Sequence, residues 1–121
     1  MTSPCPLPLT PGDLSLWEKS LEIEQQSREK TRLAELTRCR QIIPEFFRHK
    51  KVKSGYLTGS LLKPHCFYDF SDIDIAVEGF QENFFQTMSQ LEDLLDRNVH
   101  LIELENCPFA AAIRQTGEKI L

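Results

Sequence analysis

The residues with the most chemistry in them fall in one short window. Gly59-Ser60 is followed, after the eleven residues 61–71, by Asp72-Ile73-Asp74. On a strand, residues i and i+2 point to the same side, with Cα atoms roughly 7 Å apart. Two carboxylates so placed repel each other unless a cation or a partner lies between them. They are not needed to fill a core, because Ile73, Ile75 and Val77 alternate with them and supply the apolar face. Paired hard oxygens on a rigid strand suit Mg2+, which completes its shell with phosphate oxygens and water. Glycine lets backbone approach a ligand closely, and Ser60 adds a hydroxyl and an N–H for a phosphate. An Asp-x-Asp alone also describes a solvated strand face. The Gly-Ser on the preceding strand is what turns the reading toward a metal–phosphate site.

Other polar groups rank below these. His65 and Asp69 lie in the intervening loop, where such residues mostly serve the turn itself. Tyr56 and Tyr68 are hydroxyl-bearing, with Tyr56 expected in or near a sheet. Arg114 reads as an exposed helix charge. The cluster Arg48, His49, Lys50, Lys51 and Lys53 reads as a solvated helix end whose positive charge suits the C-terminal dipole.

These residues need elements to hold them. Residues 1–12 carry four of the seven prolines and read as an extended, disordered tail. Asp13 is a helix N-cap candidate, and nothing breaks a helix from there to about Arg40. Leu14, Trp17 and Leu21 recur at helical spacing, as do Leu33, Leu36 and Ile43. The polar stretch from Glu22 to Arg32 stands off the core or serves as a contact arm. Pro44 is expected to kink or restart the helix, with Phe46 and Phe47 anchoring its end. Lys51–Thr58 reads as a strand and Asp72–Val77 as the clearest one. Phe80–Arg97 reads as an amphipathic helix burying Phe84, Phe85, Met88, Leu91, Leu94 and Leu95. Val99–Leu104 is a third strand, Pro108–Thr116 a short helix stopped by Gly117, and Glu118–Leu121 a short edge strand. The fold class is therefore α+β: a small mixed β-sheet flanked by helices, with an N-terminal helical extension. The domain organisation is a tail over 1–12, the extension over 13–50 and a core over 51–121.

Composition bounds the function. The 121 residues carry a formal net charge of -4 and are 40% hydrophobic, as an ordinary globular chain is. No apolar run approaches the roughly 20 residues of a membrane helix, and the N-terminus has no basic region of a signal peptide, so the chain is expected to be cytoplasmic. Charge is divided: residues 1–53 hold ten Lys/Arg against seven Asp/Glu, and residues 54–121 hold four against eleven. An acidic second half argues against direct nucleic-acid binding. Cys5, Cys39, Cys66 and Cys107 lack knuckle spacing and read as free thiols rather than a zinc site.

Gly-Ser, about ten residues, then Asp-x-Asp resembles the polymerase-beta-type nucleotidyltransferases, and specifically the minimal nucleotidyltransferase (MNT) proteins. The resemblance spans roughly residues 30–121 and rests most on Ser71-Asp72-Ile73-Asp74-Ile75. It implies transfer of AMP from ATP to a hydroxyl with Mg2+, held by Asp72 and Asp74, and with Gly59, Ser60 and Lys63 on the nucleotide. It also implies a HEPN-domain protein partner, the MNT chain acting as antitoxin by binding it or modifying a tyrosine; a homo-oligomer is compatible with it. Two positions depart from the family pattern. Leu61-Leu62-Lys63-Pro64 replaces a small run with Arg and Gly, and His100 stands where the third acid is expected. Imidazole is a poor Mg2+ ligand, but it can deprotonate a hydroxyl. His100 is thus a catalytic candidate beside Asp72 and Asp74. The alternative reading is a catalytically impaired nucleotidyltransferase-fold module that neutralises or regulates a partner by contact alone.

Overall fold

The computed structural model describes residues 11–121, with side chains from Ser15 onward. The tail expected over 1–12 lies, but for its last two residues, outside the described residues. Helix α1 runs Pro11–Phe47, strand β1 Ser54–Thr58 and β2 Ile73–Glu78. Helix α2 covers Phe84–Leu95, β3 Val99–Glu103, α3 Ala110–Thr116 and β4 Glu118–Lys119. The strands form one sheet in the order β3-β2-β1-β4. β1 pairs antiparallel with β2 and β4, while β2 and β3 run parallel. The α+β class and its mixed sheet are as the sequence predicts.

α1 begins at Pro11, where a fixed φ and a missing N–H cost nothing. It continues through Pro44 without restarting. Pro44 lies in the last turn, where only one i→i−4 bond is lost before the helix ends. The half that meets the core does so through Arg32, Leu36, Cys39, Ile43 and Phe47, all buried. Their spacing of three and four is one helical stripe. Leu33, expected on this stripe, lies one residue off it and is exposed. Nearer the amino terminus Leu16, Trp17, Leu21 and Ile23 are all exposed, and contact with the rest of the fold begins at Arg28 and Glu29, which meet the loop after β1.

α2 is shorter than its hydrophobic pattern. The Asn83 side chain accepts a hydrogen bond from the Gln86 amide (2.8 Å) and starts it, and Asp96, at φ 51°, ends it in the left-handed region. Thr87, Leu91 and Leu95 are buried, with Phe84 and Met88 partly so. Phe85 and Leu94, expected on the buried side, are exposed. Each is about 100° around the helix from a neighbour that faces the sheet. β1 is likewise shorter than Lys51–Thr58, because β2 offers partners only from Ser54 onward in the ladder.

α1 and α2 cover one sheet face through Leu57, Ile73, Ile75, Val77, Val99 and Leu101. The other face holds a smaller cluster of Ala76, Leu104 and Ile113, with Tyr56 and Ile102 against it, under α3. α3 is only seven residues long and leaves the far end of that face uncovered. The acidic residues lie there.

The buried Arg32 links α1 to the turn after β1. It donates to the Leu61 carbonyl (3.0 Å) and pairs with Glu29 (2.5 Å). Glu29 in turn accepts from the His65 amide (2.8 Å), and these hydrogen bonds, that of Arg32 first, hold its carboxyl below the usual range. Arg32→Ala leaves the Leu61 carbonyl without its charged donor and should cost ~1–2 kcal/mol. Thermal unfolding should then shift down by about 5–10 °C.

Candidate active site

The site assembles where the carboxyl-terminal end of β1 meets the start of β2. The chain leaves β1 at Thr58 and turns through a 3-10 segment, Gly59–Leu62. Thr58 lies opposite Asp74, and Asp74 lies opposite His100 on the parallel strand β3. Three strands therefore place Thr58, Asp74 and His100 in one row, and Gly59, the next residue, lies against the Asp74 carboxylate. Asp72, just ahead of β2 and exposed, has the same parity and faces the same way.

Gly59 has φ +79°, and a Cβ there would collide with the Asp74 carboxylate. Both facts demand glycine. Gly59→Ala is expected to cost ~1–2 kcal/mol of stability, measured by urea unfolding, and to drive the Asp74 carboxyl from its place.

Asp74 is the electrostatic centre. Its side chain is 25% exposed and its Oδ1 lies 3.4 Å from Nδ1 of His100. Burial pushes its carboxyl above the usual aspartate range; His100 pulls the other way and the neighbouring Asp72 adds to the rise. No Lys or Arg is among the groups acting on it. A partly desolvated carboxylate beside a second carboxylate is a site that gains from a cation. Two carboxylates so placed suit one hard divalent ion, and Asp72 and Asp74 are the residues that would hold it. Among the described residues no three His, Cys, Asp or Glu side chains converge as a protein-only metal site needs. Cys39, Cys66 and Cys107 are free thiols, and burial pushes that of Cys39 up to about 12.

Ser60 follows Gly59 in the 3-10 turn, and Lys63 closes it, its amide donating to the Ser60 carbonyl (3.1 Å). The Lys63 side chain is exposed and borders a cavity of about 220 Å3 with Thr58, Gly59, Leu62 and Thr116. His100 is 64% exposed, with its Nδ1 turned to Asp74.

The secondary candidates go elsewhere. His65 turns to α1 at Glu29. Tyr56 packs under α3, and Arg114 pairs with Glu78 (2.9 Å). Tyr68 stacks on Phe70 at 5.4 Å and faces the Arg28 guanidinium. Asp69 supplies a backbone carbonyl to Arg97.

Arg97 is the residue that spacing did not reveal. It sits just past α2 and donates to the carbonyls of Asp69 (3.1 Å) and Ser71 (2.9 Å), with its guanidinium 4.5 Å from the centre of the Phe67 ring. Phe67 is buried and anchors the loop from below. Arg97 thus fixes the segment that delivers Asp72. A lone Arg beyond an apolar helix gives no local signal of this; the contact is made 26 residues away in sequence.

The family model for polymerase beta, nucleotidyltransferase matches residues 40–121. A search of curated proteins by sequence finds no match. Solved structures share the fold. A crystal structure of a mutant of the toxin–antitoxin MntA-HpeT matches at a TM-score of 0.58 with 21% identity, covering 68% of this chain and 72% of that one. A toxin–antitoxin crystal structure with AMP-PNP matches at 0.58 with 23% identity and the same coverage. A structure of the toxin–antitoxin MntA-HepT matches at 0.50 with 22% identity, covering 68% of each chain.

Proposed function

Because the chain belongs to the polymerase beta nucleotidyltransferase family, we propose that it transfers AMP from ATP, with Mg2+, to a hydroxyl of a HEPN-type protein partner and so acts as an antitoxin. The observation that carries this reading is the Asp74 carboxylate held between Gly59 of the turn after β1 and His100 of β3, with Asp72 beside it. The fold neighbours come from toxin–antitoxin structures, one of them with an ATP analogue, which is the context the reading expects.

Asp72 and Asp74 would hold the Mg2+, which when bound neutralises phosphate charge and favours departure of pyrophosphate. Gly59 admits the phosphates close to backbone, and Ser60 gives them a hydroxyl and an N–H. Lys63 reaches the outer phosphates from the rim of the adjoining cavity. His100, neutral, takes the proton from the acceptor hydroxyl as the oxygen attacks the α-phosphorus. The imidazolium so formed is stabilised by Asp74 at its other side. Residues 51–121 form the catalytic core in this reading, and residues 13–50 are an extension whose exposed Leu16, Trp17, Leu21 and Ile23 dock the partner.

Incubation with Mg2+ and α-labelled ATP, with and without a co-encoded partner, tests the proposal. Label should appear on the partner and vanish with Asp72→Ala/Asp74→Ala. The presence of His100 at the expected acid position favours a second reading, neutralisation by contact alone. Tight partner binding without label would select it.

A further inference from the structure

Among the described residues β3 is an edge strand, since the sheet order places β2 on one side of it and no strand on the other. Its backbone parity is fixed by two contacts. The Asn98 carbonyl accepts from Ile73 of β2 (2.9 Å), so Asn98, His100 and Ile102 bond inward. The Val99 amide points outward and is taken by the Glu92 carboxylate (3.0 Å). Leu101 and Glu103 share the outward parity of Val99. Their outward N–H and C=O groups have no strand partner among the described residues, Glu103 being the more open of the two and Leu101 only 3% exposed.

A groove of about 410 Å3 lies along this edge. Its lining includes consecutive β3 residues of both parities: Leu101 and Glu103 from the helix-covered side, His100 and Ile102 from the other. A cavity on one sheet face would meet only alternate residues. This one therefore wraps the strand edge. Phe84 of α2 walls it on one side, and Phe109, 69% exposed, walls it on the other. His100 lies at its end and is at the same time the neighbour of Asp74. The groove is thus continuous with the candidate active site.

From this geometry, and resting on the transfer reading above, we propose that the β3 edge binds the acceptor as an extended peptide segment of a partner protein, added to the sheet as a strand. Main-chain hydrogen bonds to Leu101 and Glu103 would set its register, and alternate side chains would lie between Phe84 and Phe109. A Tyr, Ser or Thr at the end near His100 then presents its hydroxyl to the reacting centre. Charge selects the flanks. From Phe80 to Cys107 the chain carries Glu82, Glu92, Asp93, Asp96, Glu103 and Glu105 against Arg97 alone. The bound segment is apolar in its middle and basic at its ends.

A displayed library of random eight-residue peptides, selected on the full chain, tests this. The enriched sequences should alternate apolar residues, contain Tyr, Ser or Thr, and carry Lys or Arg at the flanks. A fluorescent peptide from that set should bind at least tenfold more weakly to Phe109→Ser, a substitution of an exposed side chain. N-methylation of its alternate backbone amides should abolish binding for one of the two sets. Glu103→Lys should remove the preference for basic flanks. Failure to enrich any sequence over the Phe109→Ser protein overturns the proposal, as does indifference to N-methylation at both sets. A peptide that binds in this way but takes no label from ATP leaves the groove standing and removes the transfer reading. Label on some other acceptor, unchanged by Phe109→Ser, does the reverse.

Discussion

Asp74→Asn should remove nucleotide transfer and stabilise the metal-free chain at once. The amide keeps the shape of the side chain but is a weak ligand for a hard cation and carries no charge for one. Transfer from labelled ATP is expected to fall by at least ~10³-fold, about 4 kcal/mol in the barrier. The stability effect has the opposite sign, and the environment explains why. Burial raises the Asp74 carboxyl above the usual aspartate range. The folded chain therefore binds a proton there more readily than the unfolded chain does. The contribution of Asp74 to metal-free stability is then greatest below the ordinary aspartate value and is lost as pH rises through the raised one. Asn has nothing to titrate, so the decline disappears. Because a quarter of the side chain still meets solvent, screening keeps the gain small, on the order of 0.5–1 kcal/mol. At neutral pH that is about 3–6 °C in the thermal midpoint. Added Mg2+ should raise the midpoint of the natural chain and leave that of Asp74→Asn unmoved. A variant that lost both transfer and stability would mean that Asp74 is a packing residue.

Sequence and structure agree where a local pattern has one physical meaning. Asp72-Ile73-Asp74-Ile75-Ala76-Val77 can alternate only as a strand with one apolar face, and it does, with Ile73, Ile75 and Val77 fully buried. Gly59 followed by Ser60 marks a point where backbone must come close to something, and the something is the Asp74 carboxylate. His100 opposite Asp74 is a register between distant strands; the family resemblance supplied it, and no local spacing could have. What stayed hidden depends on contacts across the chain. The face of α1 that is buried is chosen by Arg32, which a hydropathy pattern counts as polar, yet its guanidinium is satisfied by Glu29 and the Leu61 carbonyl. Leu33 is displaced outward as a result. Phe85 and Leu94 look like core residues on α2 and are exposed, because a 12-residue helix on one sheet face buries a single narrow stripe. Arg97 holds the loop ahead of Asp72 only because α2 ends beside it.

His100→Asp should raise the rate of transfer and thereby decide between an enzyme and a contact-only module. The substitution puts a third carboxylate at the position that the β2–β3 register places beside Asp74. An acid there can help hold a cation and serve as a base, where imidazole does only the second. The side chain is 64% exposed and packs into no core, so the fold should tolerate the change. The expected gain is ~10²-fold in transfer from ATP, about 2.7 kcal/mol of barrier by the rate relation. Metal-free stability should fall slightly, since the new carboxylate repels Asp74 and Asp72, and Mg2+ should restore it. The pH profile supplies a second readout. With His100 as the base, transfer requires the neutral ring, because only that form accepts a proton. With Asp in its place, the onset of activity should move toward lower pH, since a carboxyl gives up its proton more readily than an imidazolium. If the natural chain shows no transfer and His100→Asp creates it, the natural site is a binding module on a nucleotidyltransferase framework, one carboxylate short of turnover. If both transfer AMP and the profile shifts as described, His100 is the base of a working enzyme. If His100→Asp transfers no faster and its profile does not move, the third position is not part of the reacting centre, and the base must be sought outside the β2–β3 pair.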